Sequence, residues 1–193
     1  ETPIEDIKAI KASTEAELEV FIHGALCISF SGQCLMSSLT GGRSGNRGVC
    51  AQICRLPFKL EKDGEVVNSG YLISPKDLCT IDHLQELVNS GVSSLKIEGR
   101  MKRPEYVGIV TKQYRLALDA INSGAAFDSQ AGMKELLSIF NRGGFTKGYY
   151  FNSQDIIFTQ RPSNNGIFAG TVVKELPKNR IEVNTQINLN VGD

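Results

Sequence analysis

The chain has 193 residues, 41% of them hydrophobic, enough for one substantial domain or for one domain and part of another. Its 21 basic and 21 acidic residues cancel, so no global field draws in nucleic acid, although a local basic face remains open. It contains no run of about 18 apolar residues, which excludes an ordinary membrane-spanning helix.

In chain order, residues 4–13 read as a helix with Ile4, Ile7 and Ile10 on one face. The stretch ETPIEDIKAIKAS is acidic and amphipathic and lacks the basic-then-apolar layout of a secretion signal. A cytoplasmic location is expected, where cysteines serve as thiols or metal ligands more often than as disulfides. In ELEVFIHG (17–24), Leu18, Val20 and Ile22 alternate with Glu17, Glu19 and Phe21, which predicts a strand with a buried face.

Residues 24–54 hold six glycines and four of the five cysteines and sustain no helical period. A loop this long inside a compact domain is functional or cross-linked. Residues 55–74 read as a hairpin turning at Asp63-Gly64. Ser74-Pro75-Lys76-Asp77 then predicts a helix start, with Leu84, Leu87 and Val88 as its apolar stripe and Gly91 as its cap. SSLKIEG (93–99) predicts a short strand. The longest helix is expected over about 104–122, with Val107, Val110, Tyr114, Ala117, Leu118 and Ile121 inward. Strand, excursion, helix, strand, helix is the order of the closing units of a βα barrel, here incomplete because two strands cannot close one.

A further helix is expected over 130–141, ending at Asn141-Arg142-Gly143-Gly144. After the aromatic run GFTKGYYF, short β-rich segments from 164 onward read as the start of a small β-barrel module. The expected organisation is α/β: barrel-type residues 1–125, a connector over 126–163, and the β module over 164–193.

Cys27, Cys34, Cys50 and Cys54 give C-x6-C-x15-C-x3-C within the glycine-rich loop. Four convergent thiolates suit zinc or an iron–sulfur cluster, and this spacing does not choose between them. Cys79 and His83 fall on the helix expected after Pro75, the thiol in the core and the imidazole on the surface.

EVFIHGALC followed by GQCLMS (19–37) is similar to the collagenase-like peptidase family, family thirty-two among peptidases of unassigned mechanism. NRGVCAQICR, SPKDLCTIDHL, GVSSLKIEGRMKRPEYV and QYRLALDAI extend the resemblance over roughly residues 5–160. The resemblance implies a TIM-like barrel followed by a small β-barrel. It also implies a missing N-terminal half of the barrel, supplied in cis or by another chain. By that resemblance, some relatives hydroxylate RNA, at the tRNA wobble uridine or at an rRNA cytidine, and others serve oxygen-independent ubiquinone hydroxylation and carry four-iron, four-sulfur clusters on cysteines. The cysteines here correspond to the GALC, GxC and CxxxC arrangement of the RNA-hydroxylating members. The resemblance therefore places such a cluster on Cys27, Cys34, Cys50 and Cys54.

For proteolysis, His23 near Cys27 is the one candidate pair, and no HExxH or GxSxG motif supports it. In KIEGR, Lys96 and Glu98 share one side of a strand; with His23 and Arg100 they are expected to line the catalytic pocket. Arg43, Arg47, Arg55, Lys102 and Arg103 are expected to form a basic rim for RNA phosphates, with Phe30 and Phe58 stacking on an unpaired base. Tyr149-Tyr150-Phe151 is expected to pack between domains. The readings carried forward are a tRNA-hydroxylating protein, a peptidase acting on a protein substrate, and a zinc-stabilised binding module.

Overall fold

The computed structural model describes residues 1–189. Its centre is an open, mixed four-stranded sheet. The sheet comprises β1 (Glu19–Ala25), β4 (Asp77–Cys79), β5 (Ser94–Ile97) and β6 (Phe145–Thr146), in the order β5-β1-β4-β6. β1 runs parallel to β5 and antiparallel to β4, and β4 runs parallel to β6. The α/β expectation holds at that level. The antiparallel β4 beside β1 departs from the all-parallel order of a βα barrel, and among the described residues no sheet closes.

Two hairpins stand apart from this sheet: β2 (Phe58–Lys62) with β3 (Glu65–Gly70), and β7 (Gly170–Leu176) with β8 (Arg180–Thr185). The first turns at Asp63 and Gly64, both with positive φ as a tight two-residue hairpin turn requires. The second is the β-rich tail anticipated after residue 164. Val172, Val173 and Ile181 on it are exposed, so within the described residues it is a ribbon and not a barrel. The last four residues of the expected β module lie outside the described residues.

The helices are α1 (Ile4–Ser13), α2 (Met36–Gly41), α3 (Leu84–Asn89), α4 (Pro104–Ser123) and α5 (Ser129–Ile139). Pro104 opens α4 at a position where its fixed φ suits the helix and its missing N–H costs nothing. Tyr106, Val110, Tyr114 and Ala117, three or four residues apart, are buried along one stripe of α4 and meet Val20 and Ile22 of β1 in the core. The stripe is rotated from the expected one: Val107 is 46% exposed, and Tyr106 takes the inward place.

Pro75 does not start a helix. It forms a bridge with Ile157; Asp77, Leu78 and Cys79 pair with β1, and Asp77 and Leu78 pair with β6 as well. Helical geometry begins only at Ile81. The local Ser-Pro start signal is overridden because sheet partners on both sides satisfy this backbone and all three side chains are buried. Cys79 is thus a core residue as expected, on a strand instead of a helix.

Candidate functional site: a thiol-lined pocket at the end of the central strand

β1 delivers His23 to the floor of a cavity of about 410 Å³. Its lining includes Cys27, Cys34, Cys50 and Cys54, together with Phe30, Glu98, Tyr149 and Tyr150. The glycine after His23 is required by packing. Gly24 has φ +116, and a Cβ there would collide with the carbonyl oxygen of Glu98, so β1 can pass the end of β5 only without a side chain. Glu98 is fixed by its own N–H donating to the His23 carbonyl at 2.8 Å and by the Tyr106 hydroxyl donating to its carbonyl at 3.2 Å.

His23 is 1% exposed and is ringed by Tyr106, Tyr114 and Phe145, with ring centroids 5.3–5.9 Å away. Burial first, and then the charge on Lys102, hold its pKa down at about 3, so the imidazole is neutral. The Tyr114 hydroxyl donates to the Ile22 carbonyl at 2.7 Å and accepts from the Thr80 N–H at 3.0 Å. Its contact with Nδ1 of His23, at 3.4 Å, is then one in which Nδ1–H donates. That tautomer leaves Nε2 with a free lone pair, and Nε2 has no partner among the described residues.

The cysteine loop wraps through α2 and two single 3-10 turns. All four cysteines are free thiols; Cys27 and Cys50 are exposed, Cys34 and Cys54 half-buried. The N–H of Gln52 donates to Sγ of Cys50 at 3.3 Å, and the hydroxyl of Ser37 lies 3.7 Å from the same sulfur. Burial pushes the Cys54 thiol up. Arg55 pulls it back, and the three other cysteines push it up further. No three His, Cys, Asp or Glu groups among the described residues stand at joint metal-ligating distance. The donor chemistry nevertheless fits a thiophilic metal or an iron–sulfur cluster: four unpaired sulfurs share one cavity, and one of them accepts from a backbone N–H.

The remaining expected site residues divide. Arg100 holds the loop by donating to the Gly48 carbonyl at 3.1 Å, and its N–H donates to the Glu98 carboxylate at 2.9 Å. Lys96 does not reach the cavity lining; it pairs with Glu19 at 2.8 Å across the sheet, and both are about half exposed. Arg43, exposed, donates to the Val49 carbonyl, and Arg47 and Arg103 are exposed at the surface. Arg55, expected on the RNA-facing rim, is instead buried, because three internal acceptors surround its guanidinium. Lys102 is half-buried over the rings of Phe140 and Tyr106. Burial, then Arg142, lower its pKa to about 8. Phe30 is 65% exposed at the cavity, whereas Phe58 sits in the separate hairpin. His83 is half-buried rather than on the surface, bonded to Glu86 at 2.8 Å and 4.3 Å from the Phe151 ring. Tyr149 and Tyr150 line the cavity, donating to the carbonyls of Cys27 and Phe21.

Sequence reasoning missed the polar groups behind the pocket. Asp77 of β4, 1% exposed, pairs with Arg142, whose Nε also donates to the Pro162 carbonyl at 2.9 Å. The Asn141 side chain donates to the carbonyls of Leu137 and Gly166 and accepts from the Gly144 N–H. By local pattern the run Asn141–Gly144 marks only the end of a helix. A polar Asn-Arg pair just before a buried strand was the available signal.

Fold and site together define a small mixed α/β unit that presents a thiol-lined pocket beside a neutral buried histidine. Residues 1–160 match the model of Peptidase family U32, and the chain belongs to that family. It is 40% identical to the Escherichia coli protein named 23S rRNA 5-hydroxycytidine C2501 synthase, over 100% of this chain and 31% of that protein. It is also 40% identical to tRNA hydroxylation protein P1 of Bacillus subtilis, over 62% of this chain and 30% of that protein. Against a Porphyromonas gingivalis protein named collagenase, identity is 40% over 71% of this chain and 39% of that protein. The chain thus spans about a third of the length of these relatives. No solved structure matches it.

Proposed function

We propose that this chain is the cofactor-bearing part of an RNA-hydroxylating protein, in which Cys27, Cys34, Cys50 and Cys54 hold a four-iron, four-sulfur cluster. The observation that carries the reading is that all four thiols, the neutral His23 and Glu98 line one cavity. Relatives named for rRNA and tRNA hydroxylation support the substrate class. Such a cluster would supply one-electron transfer. The chain's own residues do the rest. Phe30, Tyr149 and Tyr150 offer ring faces for an unpaired base, and Arg43, Arg47 and Arg103 offer exposed charge for phosphates. His23 offers an unprotonated Nε2 able to accept a hydrogen bond from a group bound in the pocket. The target proposed is a pyrimidine, the tRNA wobble uridine first and an rRNA cytidine second. A cytoplasmic setting follows from that substrate.

A peptidase reading finds less support in the geometry. Among the described residues His23 bonds to Tyr114 and to no thiol, so no base–nucleophile pair is assembled.

The test is iron and acid-labile sulfide content after anaerobic purification, for the chain and for its Cys50→Ser variant. About four of each per chain, lost in the variant, supports the cluster. One zinc per chain would leave the binding-module reading, and freely titrating thiols without metal in a folded chain would end the metal reading altogether.

A further inference from the structure

Among the described residues Arg55 is a buried cation with no carboxylate bonded to it. It is 8% exposed, and all three of its bonds go to neutral acceptors. Nη1 donates to the Ser74 hydroxyl at 3.1 Å and the Pro75 carbonyl at 2.8 Å, and Nη2 donates to the Leu26 carbonyl at 3.3 Å. None of the ion pairs among the described residues includes it. The buried carboxylate of that region, Asp77, is taken by Arg142, and Lys102 adds a third positive charge. Three cations, Arg55, Arg142 and Lys102, thus face one carboxylate, whose charge acts on Arg55 without a bond to it. A guanidinium withdrawn from water with so little counter-charge is penalised, so this arrangement favours a further anion.

The chain indicates where that anion belongs. Arg55 directly follows Cys54, and one of the two carbonyls it holds is that of Leu26, which directly precedes Cys27. The guanidinium therefore spans the neck of the cysteine loop and ties its incoming strand end, its outgoing end and the Ser74-Pro75 turn into one knot. Its planar fork makes three directed bonds at once, which a lysine ammonium on a flexible stem does not reproduce.

We infer that Arg55 is the positioning residue and counter-cation of the thiolate centre, fixing the Cys27 and Cys54 flanks and offsetting the negative charge that their sulfurs carry once a metal or cluster is bound. This rests on the proposed thiol-held centre.

The experiment loads the full chain and its Arg55→Lys and Arg55→Gln variants anaerobically with iron and sulfide, and separately with zinc. The readouts are the rate of metal transfer to excess chelator and, for iron, the midpoint potential. In Arg55→Gln, metal leaves at least tenfold faster from both loadings. Its iron centre titrates at a more negative potential, because removing a positive charge favours the oxidised, less negative state. Arg55→Lys also releases metal faster but keeps a potential near that of the wild type, since it retains the charge and loses the fork. If Arg55→Gln does not fold, the lysine variant alone decides, and wild-type release from it overturns the inference. Wild-type release and potential in Arg55→Gln overturn it too. Equal release defects in both variants with no change in potential would make Arg55 a structural strut only. A wild-type chain that takes up neither loading removes the thiol-held centre and this inference with it, whereas a loaded chain indifferent to Arg55 removes this inference alone.

Discussion

The Tyr114 hydroxyl stands 3.4 Å from Nδ1 of His23, so the hydrogen bond that holds the imidazole at the pocket floor comes from the long helix. Thr80 also donates to the Ile22 carbonyl, through both its N–H and its hydroxyl, so that acceptor survives loss of the tyrosine hydroxyl. What Tyr114→Phe orphans is the buried Nδ1–H. The expected cost is ~1–3 kcal/mol of unfolding free energy, read by urea denaturation. Nitrogen NMR of the imidazole should show its preference for the Nδ1–H form weakened. An unchanged tautomer population would mean that the hydroxyl does not set the ring's state.

The same burial makes stability depend on pH with a definite sign. His23 has a folded pKa of about 3, below the ordinary value of 6.5. The unfolded chain therefore takes up a proton as the pH falls below 6.5, and the folded chain does not. The contribution of His23 is complete above 6.5 and is lost progressively from there down toward 3, at a rate approaching ~1.4 kcal/mol per pH unit. Urea midpoints of the chain and of His23→Asn, compared at pH 7.5 and 5.5, isolate this term from the carboxylates. The wild type should lose more stability over that interval than the variant. Parallel losses would show that His23 is protonated in the folded state.

Much of this was legible in the sequence, and the misses share one cause. Patterns confined to one element held: the alternation in β1, the Asp63-Gly64 turn, and the Pro104 start of the long helix. The readings that failed were decided by partners far away in the chain. Ser74-Pro75 has the local grammar of a helix start, but β1 and β6 claim the next residues as strand. Lys96 and Glu98 share one side of β5 by period, yet Glu19 captures the lysine before it reaches the pocket. By local pattern Arg55 reads as one more surface charge, because nothing local announces that Ser74, Pro75 and Leu26 close around it. Convergence of the four cysteines on one cavity was anticipated from their crowding in a loop rich in glycine.

Asp77 and Arg142 form the buried ion pair behind the pocket, their side chains 2% and 10% exposed. Burial raises the Asp77 pKa, and Arg142 counters it. Asp77→Ala leaves a guanidinium in the interior with its Nε bound to the Pro162 carbonyl and no counter-charge. The expected loss is ~3–5 kcal/mol, measured by urea unfolding. Asp77→Leu combined with Arg142→Met should recover most of it, because removing both charges also removes the desolvation they impose. A double variant no better than Asp77→Ala would show that Arg142 is needed for more than neutralising Asp77.

Phe30 presents 65% of its surface at the mouth of the thiol-lined cavity, where an aromatic ring gains nothing from the core. If the pocket receives an unpaired base, that ring is the stacking platform, and a base stacked on it contributes ~1–3 kcal/mol by alanine substitution. Phe30→Ala should weaken binding of a uridine-containing RNA loop by that amount while leaving metal content unchanged. Leu39 supplies the control, since it is 84% exposed on the same loop and does not line the cavity. Leu39→Ala should bind RNA like the wild type. Equal weakening in both variants would assign the effect to loss of loop order, and no weakening in either would move the base away from this face of the pocket.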